Sequence, residues 1–267
     1  MCEPSKGSNV APSRDSAGFG GRRAVLRRHR WLTFVLPMAV FMLVGSLEPK
    51  PPTSGAPDGW LAIPYQYYSI VYTLKIALTV AAILFVLPGY REFPFRMSPL
   101  AVLVGALGVV IWVGTCSLGL EQRLLAPLGV GRFLGLVARS AFDPFVELRA
   151  YPAAWAWGFL AVRFLGLVAV VAVAEEFFLR GFLMRFVVQA DWWEVPFGKV
   201  NAISVIVATV VPMFMHPAEL FAALLWFSLV TWLMVKTRNI WDCVAAHAVT
   251  NLLLGIYVVS SGQWQLM

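Results

Sequence analysis

The chain has 267 residues, 60% of them hydrophobic and only 13% charged, where a water-soluble domain carries roughly 25% charged residues. The apolar residues fall in blocks long enough to cross a hydrocarbon core, which takes about 20 residues of helix, so a single water-soluble globule is excluded. The net charge of +7 is concentrated ahead of the first apolar block and forms no reading surface, which argues for membrane anchors and against a nucleic-acid partner.

Residues 1 to about 21 are rich in Ser, Gly, Pro and Asn and lack apolar periodicity, the composition of a disordered tail. Arg22, Arg23, Arg27, Arg28, His29 and Arg30 follow, then an apolar block from Trp31 to Leu47. Without a small-x-small cleavage site after it, that block is expected to stay as a first membrane helix with its N-terminus in the cytoplasm. Glu48 to Pro64 holds five prolines and reads as an external loop. Tyr67 to Leu87 is a second span, interrupted only by Lys75, and Leu100 to Leu118 a third, with Arg91 and Arg96 between them. Charged and apolar residues mix from Glu121 to Tyr151, an interfacial pattern in which an eighth span stays open.

A helical pattern from Trp155 to about Val188 exceeds what one span needs, so it tilts or projects. Asn201 to Met215 is short, with Pro212 and Pro217 about its end. Leu220 to Val235 and Ile240 to Val259 complete the set, separated by Lys236 and Arg238. The expected fold class is therefore all-α, a polytopic transmembrane bundle of about seven to eight spans. Seven spans in this order put every clear Lys/Arg-rich loop on one side.

A charge at the centre of a membrane helix costs about 2.5–3.5 kcal/mol on the insertion scale, so the ionisable residues of the second half need a reason. Glu176 and Arg180 are four apart and meet on one helix face, with the acid on the favourable side. Glu175 points about 100° away, without a local partner; a lone carboxylate in a low-dielectric site is suited to general-base work. His216 lies between the two prolines, where backbone groups are released and a cavity is plausible. His247 and Asn251 are four apart on the last helix, in one polar seam with Cys243 and Gly255. Taken singly, each has a structural reading, as an interhelical ion pair, a satisfied histidine or packing glue; Arg163 and Glu219 are assigned to that class. Together, two acids, two histidines and an amide on three helices exceed what packing requires. No HExxH, GxGD or GxSxG occurs, and none of the five aspartates lies well inside a span. What remains is a carboxylate and two imidazoles able to activate water.

These residues resemble the motifs of the CPBP (CAAX protease and bacteriocin-processing) intramembrane peptidases. The EExxxR motif appears as Glu175-Glu176-Phe-Phe-Leu-Arg180. The FxxxH motif is matched at His216, with Pro212 at the phenylalanine position, and a histidine followed four residues later by Asn appears as His247 and Asn251. The end of the chain, from Trp241 to Gly-Gln-Trp-Gln, and the His-Pro-Ala-Glu at His216 resemble the exosortase/PEP-CTERM-associated bacterial subgroup.

The resemblance implies Glu175 as general base, His216 holding and polarising the water, and His247 and Asn251 stabilising the oxyanion, with Glu176 and Arg180 fixing the helix. A divalent metal such as zinc on Glu175, His216 and His247 is the alternative chemistry; direct water activation is favoured over it. The expected organisation is a disordered basic cytoplasmic tail (1–30), N-terminal transmembrane helices and loops (31–151), and a CPBP-like catalytic core (152–267). The expected partners are a protein or peptide substrate and membrane lipids, and the expected site is a bacterial inner membrane. A catalytically silent scaffold or immunity-type protein and a transporter are the rival readings. By helical rise, His216 reaches the depth of Glu175 and His247 only if its span is tilted, broken or begins deep in the membrane.

Overall fold

The computed structural model describes residues 15–51, 63–129 and 141–267, and among them every regular element is helical. We number the main helices α1 (Asp15–Arg28), α2 (Trp31–Gly45), α3 (Tyr68–Tyr90) and α4 (Pro99–Leu118). After these come α5 (Ala153–Val188), α6 (Ala202–Met215), α7 (Leu220–Thr237) and α8 (Ile240–Ser261). Five of them, α3, α4, α5, α7 and α8, are long and apolar enough to cross a membrane, while α2 and α6 are shorter apolar helices. The chain is an all-α polytopic bundle.

The disordered tail expected over residues 1–30 gives way to helix from Asp15 onward, while residues 1–14 of it lie outside the described residues. The physical reason is one apolar anchor in a polar segment. Leu26 is only 5% exposed and joins the cluster of Phe34, Tyr90 and Trp192, while Arg23, Arg27 and Arg28 stay exposed. Much of the expected external loop, and residues 130–140 of the stretch in which an eighth span stays open, also fall outside the described residues.

Caps set the helix limits. Ser98 accepts from the Ala101 amide at 3.3 Å, and its own N–H donates to Asp242 at 2.7 Å, tying the start of α4 to the start of α8. Asn201 and Ser204 form a reciprocal capping box at the head of α6. Lys75 of α3, the one charge within its span, is matched by an ion pair with Glu48 and by the rings of Phe41 and Tyr72, 4.3 and 4.4 Å from its ammonium.

Two glycines bring α4 against α8. A Cβ on Gly105 would lie 2.6 Å from Val249 Cβ and 2.7 Å from the Ala246 carbonyl oxygen, and one on Gly108 would collide with Trp226 and Thr250. Backbones can approach this closely only where side chains are missing. The Thr250 hydroxyl exploits the approach by donating to Gly105 O at 2.8 Å. This contact sets the register of the α8 face that carries His247 and Asn251.

Helix α5 is not uniform. Wide π-type turns at Gly166–Val171 and Phe177–Leu183 flank the regular turn Ala172–Glu176. Such turns withdraw carbonyls from the i→i−4 ladder and gather at functional positions.

Candidate active site

Glu175 and Glu176 sit on the short regular turn between the two π-type turns of α5, 2% and 0% exposed. Arg180 places Nη1 3.2 Å from Glu176 Oε2. Its Nη2 donates to Phe227 O on α7 at 3.2 Å, and the guanidinium lies 5.4 Å from the Phe227 ring centroid. The other oxygen of Glu176 receives His247 Nδ1 from α8 at 2.9 Å. One carboxylate therefore joins an arginine on its own helix to an imidazole 71 residues away. Glu175 Oε1 has no hydrogen-bond partner among the described residues, and Oε2 lies 3.9 Å from His247 Nε2. His247 thus stands between two carboxylates, bonded to one and facing the other.

Helix α6 stops at Met215, and His216 occupies the break before a 3-10 turn, Pro217–Glu219, leads into α7. The His216 N–H bonds to Met213 O at 3.0 Å, which leaves the Pro212 carbonyl to meet His216 Nδ1 at 2.9 Å. A carbonyl only accepts, so Nδ1 carries the proton and the lone pair of the neutral ring lies on Nε2. The residue standing at the motif's phenylalanine position orients the imidazole through its backbone. The expected break near the two prolines is therefore a helix end at residue 216, after a helix of 14 residues.

Asn251 lies one turn beyond His247 on α8, and its Nδ2 donates to Leu167 O at 2.8 Å. Leu167 belongs to the first π-type turn of α5.

Glu175, His216, His247 and Asn251 all line one cavity of about 80 Å³, with Glu176 and Arg180 behind His247. Space of this size holds a few water molecules. Trp112 of α4 adds a wall that no motif pointed to, its ring 5.4 Å from that of His216 and edge-to-face with it. Trp226 of α7 packs edge-to-face on His247 at 6.0 Å. Leu266 and Met267, in the turn after α8, close another side. None of these apolar positions differs in type from the lipid-facing residues around it, so the sequence offered no signal for them.

Arg163 lies outside the cavity, donating to Phe142 O at 2.8 Å and Met267 O at 2.5 Å. Glu219 is buried near the α6–α7 turn and does not line the cavity. Ser204 serves the capping box of α6. The suggested metal donors, Glu175, His216 and His247, share the cavity, but among the described residues no three His, Cys, Asp or Glu side chains gather in a metal-holding group. That donor arrangement does not fit a metal centre.

The fold and the pairing of carboxylates with imidazoles inside it define a polytopic membrane protein with a buried polar core. Residues 156–253 match the family described as type II CAAX prenyl endopeptidase Rce1-like. That segment, a little more than a third of the chain, is similar to this CAAX-type family. No curated protein and no solved structure matches the chain. The matched segment includes Glu175, Glu176, Arg180, His216, His247 and Asn251, whereas Trp112 lies before it. The protein is accordingly an integral membrane protein whose residues 156–253 are similar to a protease family.

Proposed function

We propose that the protein is an intramembrane endopeptidase that hydrolyses a peptide bond of a membrane-associated protein or peptide with a water activated by Glu175. The observation that carries this reading is the meeting of Glu175, His216, His247 and Asn251 around one small cavity inside an apolar bundle. Glu175 is the general base: it has an unpartnered oxygen and no cation bonded directly to it. His216, held through Nδ1, acts on the same water through Nε2.

The chemistry balances with no other reagent. Glu175 takes one proton from water as the oxygen bonds to the substrate carbonyl carbon, and the carbonyl electrons move to its oxygen. Collapse of that tetrahedral centre expels the amine, which leaves with the proton held by Glu175. The oxyanion is met by the second N–H of Asn251 and by Nε2–H of His247 when its ring carries both protons. Glu176 and Arg180 are positioning residues that fix the ring of His247.

In this reading residues 152–267 form the catalytic core and 31–151 the supporting helices, with α4 supplying one wall. Arg91, Arg96, Lys199, Lys236 and Arg238 lie at the bundle end that also carries α1. This supports an N-terminus in the cytoplasm of a bacterial inner membrane. The likeness of the C-terminal stretch to exosortase/PEP-CTERM-associated proteins supports a substrate sorted at that membrane.

The test is cleavage of internally quenched peptides, with and without a prenylated cysteine, by purified protein in micelles. Terminus mapping of a membrane proteome exposed to wild type or Glu175→Gln runs in parallel. Glu175→Gln is expected to lose cleavage on both readouts while melting at or above the wild-type temperature. Equal cleavage by the variant would sink the reading.

A further inference from the structure

A second concavity, of about 390 Å³, opens at the bundle end where α1 meets α2 and where α3 and α5 finish. Its lining includes Arg27, Arg30, Glu92, Arg185, Trp192 and Trp193. Three guanidinium groups thus face one carboxylate.

The arginines are not equivalent. Arg185 is buried and fully engaged, donating to Val195 O at 2.7 Å, Gly181 O at 3.0 Å and Trp193 O at 3.0 Å. It contributes a fixed positive charge at the base. Arg27 and Arg30 are exposed and, among the described residues, take part in no ion pair. Arg30 lies 5.5 Å from the Trp193 ring centroid, which holds its plane at the rim. The concavity therefore offers two uncommitted guanidinium forks above a third charge.

Depth identifies the ligand's source. Trp31 and Trp193 are 48% and 41% exposed at this end, the placement of indoles at headgroup level. Arg91 and Arg96 stand at the same end of the bundle but do not line the concavity. Guanidinium forks match phosphate oxygens two at a time, and basic pockets between membrane helices on the positive side take anionic headgroups.

We propose that this concavity binds the phosphodiester headgroup of an anionic phospholipid. Arg27 and Arg30 hold the phosphate, Arg185 sets the charge beneath it, and Trp193 lines the rim. The lipid thereby ties α1 to the ends of α3 and α5. This site is separate from the cavity of Glu175 and stands whether or not that cavity is catalytic.

The experiment is native mass spectrometry of the full chain released from phosphatidylcholine nanodiscs containing phosphatidylglycerol. The wild type is expected to keep one phosphatidylglycerol, and Arg27→Gln/Arg30→Gln to lower its occupancy about tenfold. Arg91→Gln/Arg96→Gln, outside the concavity at the same end, should leave it unchanged. Equal retention by the first pair, or equal loss in the second, overturns the proposal. Displacement of the lipid by millimolar inorganic phosphate with no loss of thermal stability would make the occupant a free phosphate and overturn the lipid assignment. A photoactivatable phosphatidylglycerol on wild-type protein needs no variant. Crosslinks to segments 26–34, 89–93 and 185–193 support the site, and crosslinks confined elsewhere overturn it.

Discussion

Glu176 Oε1 receives both Nδ1 of His247 at 2.9 Å and Nη1 of Arg180 at 3.4 Å, and that guanidinium nitrogen also lies 3.2 Å from Oε2. Removing either partner strands a buried charge, which costs about 3–5 kcal/mol. Glu176→Gln and Arg180→Ala are therefore expected to melt well below wild type in the same detergent and to lose activity together with stability. Thermal unfolding beside peptide cleavage checks this. A variant that keeps its melting temperature while losing turnover would move Glu176 from positioning into the chemistry.

His216 sits half-buried at a helix end with its Nδ1 on a neutral backbone carbonyl, whereas Arg180 is fully buried against Glu176. His216→Gln is expected to lower kcat about 100-fold, in the range of general acid–base effects. Its melting temperature should fall far less than that of Arg180→Ala. Comparing the two losses in one assay separates a chemical part from a structural one.

The close approach of α4 and α8 gives a purely steric prediction. Gly105→Ala forces a methyl against Val249 and the Ala246 carbonyl, and overpacking of this kind costs about 1–3 kcal/mol. It is expected to lower both thermal stability and turnover, because the displaced α8 carries His247 and Asn251. Gly114→Ala, on the same helix with nothing within 4 Å of the added carbon, should melt at or slightly above wild type. Melting curves of the two variants decide it.

Because Glu175, His216 and His247 form no metal-holding group, turnover is expected to survive incubation with EDTA or 1,10-phenanthroline. Inhibition reversed by one added metal would mean that these donors rearrange to bind it.

Most of the architecture was legible because lipid imposes a long apolar period that sequence shows directly. The spans read from Leu100 to Leu118 and from Ile240 to Val259 end within a few residues of α4 and α8. The pairing of Glu176 with Arg180 was legible too, since it lies within one helix turn. The bond from Glu176 to His247 was not, because helical spacing relates residues only along their own helix. Nor was the anchoring of α1, where Leu26 is a single apolar residue among arginines. Arg163 lies outside the cavity, and nothing in its sequence neighbours names Phe142 and Met267 as its acceptors. The π-type turns left no sequence mark either.

The carbonyl of Leu167 that meets Asn251 lies in a π-type turn of α5, where backbone bonds reach five residues and not four. A substitution that returned this segment to regular winding would re-aim that carbonyl and take away the amide's anchor. Selection for thermal robustness alone would then erode competence one peptide group at a time. The segment 166–171 is where a more durable and less active form of this protein is most simply made.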